Sequence, residues 1–207
     1  MKKFISVSPF QPPKFLSAGI YKYVNNEKLI YEKEIKFPII PVINGYAENG
    51  EEITLITVVS DYENSTVNYE TLKCSVNEIA EEKNLKVNYE VISIPYDNRL
   101  EVQLEVFNKL ISHISDNDKL FADITYGTKV MNQIITMGIN YGYRICRDVI
   151  PGCIVYGEKD HNTNEMKIYD TTSLIYLDEI VRVMAENGVK DPAGSIKMMM
   201  NWSESDD

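Results

Sequence analysis

Along this chain, stretches whose apolar residues repeat every second position alternate with stretches that repeat at helical spacing. Residues 3–8 read as a first strand, stopped by Pro9 and followed by the rigid Gln11-Pro12-Pro13 loop. Residues 20–24 and 28–31 flank Asn25-Asn26-Glu27 and predict a β-hairpin insertion near the N-terminus. Residues 37–47 contain Pro38 and Pro41 and fit either a short helix or a loop. Residues 53–59 are apolar or β-branched throughout, as in a strand buried on both faces. A helix follows, with Asn64, Ser65 and Thr66 available as caps and Tyr69, Leu72, Val76, Ile79 and Ala80 on one face.

Beyond it, residues 86–94 predict a strand. Residues 100–114 predict a helix that buries Leu100, Leu104, Phe107, Leu110, Ile111 and Ile114. A strand over 119–124, a helix over 128–141, a strand over 148–156 broken by Pro151-Gly152, and a short strand over 165–169 come next. A helix over 174–187 places Leu174, Leu177, Ile180, Val181 and Met184 in register. Repeated strand–helix alternation specifies an α/β chain, Rossmann-like, with a mostly parallel sheet and helices on both faces. The domain is expected over 1–190. Residues 191–207, with Met198, Met199, Met200, Trp202 and an acidic end, make a C-terminal tail or short interaction helix.

A chain of 207 residues with 44% hydrophobic and 25% charged positions can build a core and is not a disordered segment. Its net charge of −10 argues against a broad basic surface gripping duplex nucleic acid. Any polyanion it binds must be small and held by local donors. Cys74, Cys146 and Cys153 form no Cys-x-x-Cys pair, so neither a zinc ribbon nor a redox dithiol is expected, and no metal site. The apolar run behind Met1-Lys2-Lys3 ends at Pro9 with no cleavage signal, and no stretch reaches membrane-spanning length. A cytoplasmic, soluble protein is expected.

In open α/β sheets, ligands bind beyond the carboxyl ends of the strands. The most informative such end is Asp123-Ile124-Thr125-Tyr126-Gly127-Thr128-Lys129, directly before a helix. Asp123 closes an apolar strand, where a carboxylate needs hydrogen bonds. Gly127 permits a sharp turn, Thr128 can cap the helix, and the first-turn N–H groups attract an anion. Lys129 adds a cation. This is a phosphate-binding corner, though neither a P-loop nor a Gly-x-Gly-x-x-Gly dinucleotide turn. The plain alternative is an ordinary strand-to-helix turn with a polar cap.

Those seven residues resemble the Asp/Asn-x-Ser/Thr-x-x-x-Arg/Lys motif of CRISPR-associated Rossmann fold (CARF) domains. They are also similar to the Asp-x-Thr-His-Gly motif of one CRISPR-associated subfamily, with Tyr126 standing where that subfamily has histidine. The order of elements over 1–187 follows the same layout. The resemblance implies a homodimer, without a cofactor, that binds a cyclic oligoadenylate of type III CRISPR antiviral signalling, most often the cyclic tetra-adenylate. By position it implies that Thr125, Gly127, Thr128 and Lys129 contact ribose and phosphate. Ser8, Pro9 and Gln11 then line the same pocket from the first loop. Asp123 orients the turn, and the Tyr126 ring is placed to stack on adenine. Gly138 and Gly142, one turn apart on the following helix, suit close packing at a dimer axis or packing onto the chain's own sheet.

Such domains usually carry an effector. No Arg-x4–6-His ribonuclease pair occurs, and Glu32-Lys33-Glu34 and Glu165-Met166-Lys167 are weak nuclease matches. A downstream effector domain or protein outside this chain remains a partner to expect. Two other readings stand beside the sensor. One is a metal-independent ring nuclease, in which a ribose 2′-hydroxyl attacks its own phosphate and Lys129 and Thr128 assist. The other is a general Rossmann-like nucleotide-binding enzyme. Around these, Lys14, Arg144 and Arg147 offer charge, though for the arginines a helix C-terminus is the plainer role. Tyr96 and Asn98 sit at the strand end before Arg99 and suit contact with a base; helix capping by Asp97 or Asn98 is the plainer role. His113 and His161 read as boundary and solvated residues.

Overall fold

The computed structural model describes residues 1–97, 99–160 and 162–203, with side chains only as far as 199. Trp202, Met200 and the acidic end, singled out above, lie outside the described side chains, and Asn98 and His161 lie outside the described residues. β1 (Lys2–Val7) is the middle of five parallel strands in a seven-stranded sheet. On one side it pairs in parallel with β3 (Glu52–Asp61), which pairs with β4 (Lys86–Pro95). On the other side it pairs in parallel with β5 (Lys119–Asp123), which pairs with β6 (Ile150–Lys159). β7 (Met166–Asp170) returns antiparallel to β6, and β2 (Tyr21–Tyr23) closes that edge parallel to β7. The fold is α/β with a mostly parallel, Rossmann-like sheet.

Eight consecutive buried positions in β3 explain its strand: both faces of the sheet are covered. α1 (Ile39–Tyr46) and α2 (Glu63–Lys83) cover one face, packing on Phe4, Leu55 and Phe121. α3 (Leu100–Ser112) and α4 (Lys129–Ile145) pack together on the other. At the sheet centre the rings of Phe4 and Phe121 stack with centroids 4.7 Å apart. Residues 37–47 resolve as a helix because Pro41 falls in its first turn, where no intrahelical donor is needed.

Three local expectations are corrected. The N-terminal hairpin does not form: Glu27–Leu29 is a 3-10 turn whose start is capped by the Asn26 side chain, which accepts from the Lys28 N–H. Asn26 also donates to Asp170 at 2.6 Å, so the asparagine anchors a turn instead of joining two paired strands. The caps expected at Asn64, Ser65 and Thr66 are not used as caps: Tyr62 precedes the helix, and the Ser65 hydroxyl accepts from the Ser60 N–H. In α3 Leu110 and Ile114 are buried as expected, but the stripe runs through Val102 and Val106, while Leu100 and Leu104 are exposed.

Pro151-Gly152 does not end β6. The register slips there, with Leu120 opposite Pro151 and Phe121 opposite Cys153, so Gly152 is the extra residue of a bulge beneath the Phe121 ring. The chain groups into two compact units, Met1–Thr172 and Ser173–Asp207. The second holds α5 (Ser173–Glu186) and α6 (Pro192–Ser203), so residues 192–203 form a helix that packs on α5. α5 therefore groups with the tail, whereas the expected division lay at 190. Among the described residues no helix is long and apolar enough to cross a membrane.

Candidate functional site

The five parallel strands stand in space in the order third, second, first, fourth, fifth along the chain. Winding therefore reverses between β1 and β5, and the loops leaving their carboxyl ends diverge and open a crevice. The loop after β1 begins at Ser8, and the loop after β5 is Ile124 to Thr128.

Gly127 takes φ +95°, a region that L side chains avoid. A Cβ there would lie 3.0 Å from the Val7 side chain, so the turn rides directly on the end of β1. Thr128 is the N-cap of α4, and its hydroxyl accepts from the Met131 N–H at 3.1 Å. Lys129 and Val130, the first helical residues, are exposed. Their N–H groups belong to the set that helix geometry leaves without intrahelical partners. Backbone donors, the positive end of the helix dipole and the Lys129 ammonium thus open together at the surface, an arrangement that can hold an anion.

Asp123 is the brace of this corner. Its buried carboxylate accepts from the Thr125 N–H at 2.9 Å and from the Ile39 N–H at 3.2 Å, tying the turn to the start of α1. Burial pushes its pKa up to about 6, against the pull of those bonds and of the Thr125 side chain. It orients the turn and does not face a ligand.

Several expected contacts point elsewhere. The Thr125 hydroxyl accepts from the Gly157 N–H at 2.7 Å and bonds Asp123, so it joins β5 to β6. The Tyr126 hydroxyl donates to the Lys36 carbonyl at 2.6 Å, and its ring meets Phe37 edge-on, which turns it into the body and away from any adenine. Burial drives that phenol's pKa far up. Ser8 is fully buried and donates to the Ser65 carbonyl at 2.5 Å. Pro9 is buried as well; only Gln11 of this loop is exposed. Gly138 faces Leu110 of α3, and Gly142 faces Ile114, Leu120 and Val149, so both serve packing within the chain. Arg144 lies in the last turn of α4, a helix about 25 Å long, and Arg147 pairs with Asp116 beyond it, both far from the corner. Lys14 is exposed beside the Phe15 ring, His113 caps the end of α3, and Asp97 holds the Arg99 N–H at the start of α3.

Two asparagines escaped the sequence reading. Asn68 on α2 donates to the carbonyls of Pro9 at 2.8 Å and Gln11 at 2.9 Å and so fixes the first loop. Asn132 on α4 donates to the Ile124 carbonyl at 2.7 Å and fixes the second. The signal for Asn68 was a polar residue on the apolar face, beside Tyr69 and Leu72. Glu165 pairs with Lys22 and Lys167, as a solvated β6–β7 hairpin requires. No family model matches the chain, and no curated protein matches it.

Proposed function

We propose that this chain binds a cyclic oligoadenylate, the cyclic tetra-adenylate in the first instance, as the homodimeric sensor module of type III CRISPR antiviral signalling. The observation that carries the reading is the corner at the strand-order reversal. There Gly127 at positive φ, the Thr128-capped start of α4 and the exposed Lys129 face solvent together. The motif residues that turn inward build this corner; the ones that remain outward are those that recognise phosphate. A ring of identical nucleotides suits two copies of such a corner across a two-fold axis. Leu100, Leu104, Val130 and Met137 are exposed on the adjoining helices α3 and α4, an apolar surface that a second copy covers in this proposal.

A second reading has support of its own. The spatial strand order is the one that doubly wound dinucleotide-binding sheets use, and it fits a mononucleotide or dinucleotide at the same crevice. A thermal-shift panel separates the two. The sensor reading requires stabilisation by cyclic tetra-adenylate and none by ATP or NAD. Lys129→Ala is expected to weaken cyclic tetra-adenylate binding by about tenfold or more, the value of a charge-assisted bond to phosphate, with an unchanged circular dichroism spectrum. Unchanged affinity in a titration would remove the corner from the binding site. Chromatography of the same mixtures reads whether the ring is cut.

A further inference from the structure

A recess of about 450 Å³ opens at the carboxyl ends of β3 and β4, two strands away from the corner described above. Its floor is the last registered pairs of those strands: Val59 with Ser93, Ser60 with Ile94, and Asp61 with Pro95. Thr66 on the first turn of α2 completes the lining. That volume lies within the range of small-ligand sites.

The chemistry of the lining is selective. It presents the hydroxyl-bearing residues Ser93 and Thr66 and one carboxylate, Asp61, and it contains no lysine or arginine. Such a set accepts hydrogen bonds from hydroxyl groups and repels a phosphate. Ser60, one position before Asp61 on the strand and only 2% exposed, turns its side chain to the other face of the sheet and takes no part in the site. Immediately beyond the lining on each strand stands a tyrosine. Tyr62 and Tyr96 stack with ring centroids 4.9 Å apart, and Phe10 meets Tyr96 edge-on at 5.6 Å. Both tyrosines are exposed, at 40% and 62%, and stand next in chain to lining residues Asp61 and Pro95.

We infer that this recess is a binding site for a ribonucleoside. The ribose diol donates to Asp61 and engages the Ser93 and Thr66 hydroxyls, and the base lies against the Tyr62–Tyr96 pair. A carboxylate accepts from two vicinal hydroxyls at once, and an aromatic pair stacks any base. The site does not depend on the cyclic oligoadenylate reading, because it uses neither Lys129 nor the α4 N-terminus.

The test is calorimetric titration of the full chain with adenosine and with 2′,3′-dideoxyadenosine. Adenosine is expected to bind at about millimolar affinity or tighter, and the dideoxy compound about tenfold more weakly. Asp61→Asn, an exposed and conservative change, is expected to cost adenosine a similar factor, and Lys129→Ala nothing. The absence of saturable adenosine binding, equal affinity for the two nucleosides, or loss on Lys129→Ala with none on Asp61→Asn would each overturn the assignment. Failure of cyclic tetra-adenylate to bind would leave it standing.

Discussion

Asp123 holds two backbone donors from different parts of the chain in a place where its own charge is costly. Its pKa is raised to about 6 in the fold, against an ordinary value of 3.8. The native state therefore holds a proton between those values that the unfolded chain has lost. Stability from this group is complete below the ordinary value and is lost as pH rises through about 6, a change of about 3 kcal/mol. Asp123→Asn has no such proton. Denaturant unfolding of both proteins at pH 4 and pH 7 should show the wild-type advantage shrinking by about that amount toward pH 7; a gap that does not change with pH would exclude a carboxyl titrating in this window. Gly127 is the second residue on which the corner turns. A β-branched side chain meets both the positive φ and the Val7 contact at 3.0 Å. Gly127→Val should lower the melting temperature by roughly 5–10 °C and abolish anion binding at the corner.

At the scale of elements, α3 separates two readings of one sequence. Its apolar residues are numerous enough to lead toward Leu110 along two stripes, through Leu100, Leu104 and Phe107 or through Val102 and Val106, and hydrophobicity alone favours the bulkier first set. The sheet buries the second, and Leu110 of that stripe packs against Gly138 of α4. In dilute solution, Val106→Ala should cost about 2 kcal/mol in denaturant unfolding, and Leu104→Ala less than about 0.5. Strands were legible wherever apolar residues ran unbroken, as in β1 and β3, and so was the Gly127-Thr128 turn, whose chemistry is local. What escaped was whatever depends on a distant partner. Asn26 looks like a hairpin residue until Asp170 arrives to anchor it. The Tyr126 and Thr125 side chains look like ligand contacts until Lys36 and Gly157 claim them.

For the whole molecule, charge and shape pull in opposite directions. Each chain carries −10, so two copies repel at long range, and the proposed dimer offsets that repulsion by burying the exposed apolar residues of α3 and α4. Salt screens that repulsion but leaves apolar burial intact. It also weakens the hold of Lys129 and the helix dipole on a phosphate. The two equilibria proposed here should therefore respond to salt with opposite signs. From about 50 to 300 mM salt, light scattering at micromolar concentration should report more dimer, while titration reports weaker cyclic tetra-adenylate binding per dimer. Leu104→Glu combined with Met137→Glu should give a monomer at every salt concentration and lose the ligand, although neither residue lies at the corner. A monomeric wild type, with and without ligand, would separate the corner from any shared pocket and leave each chain to bind a smaller anion alone.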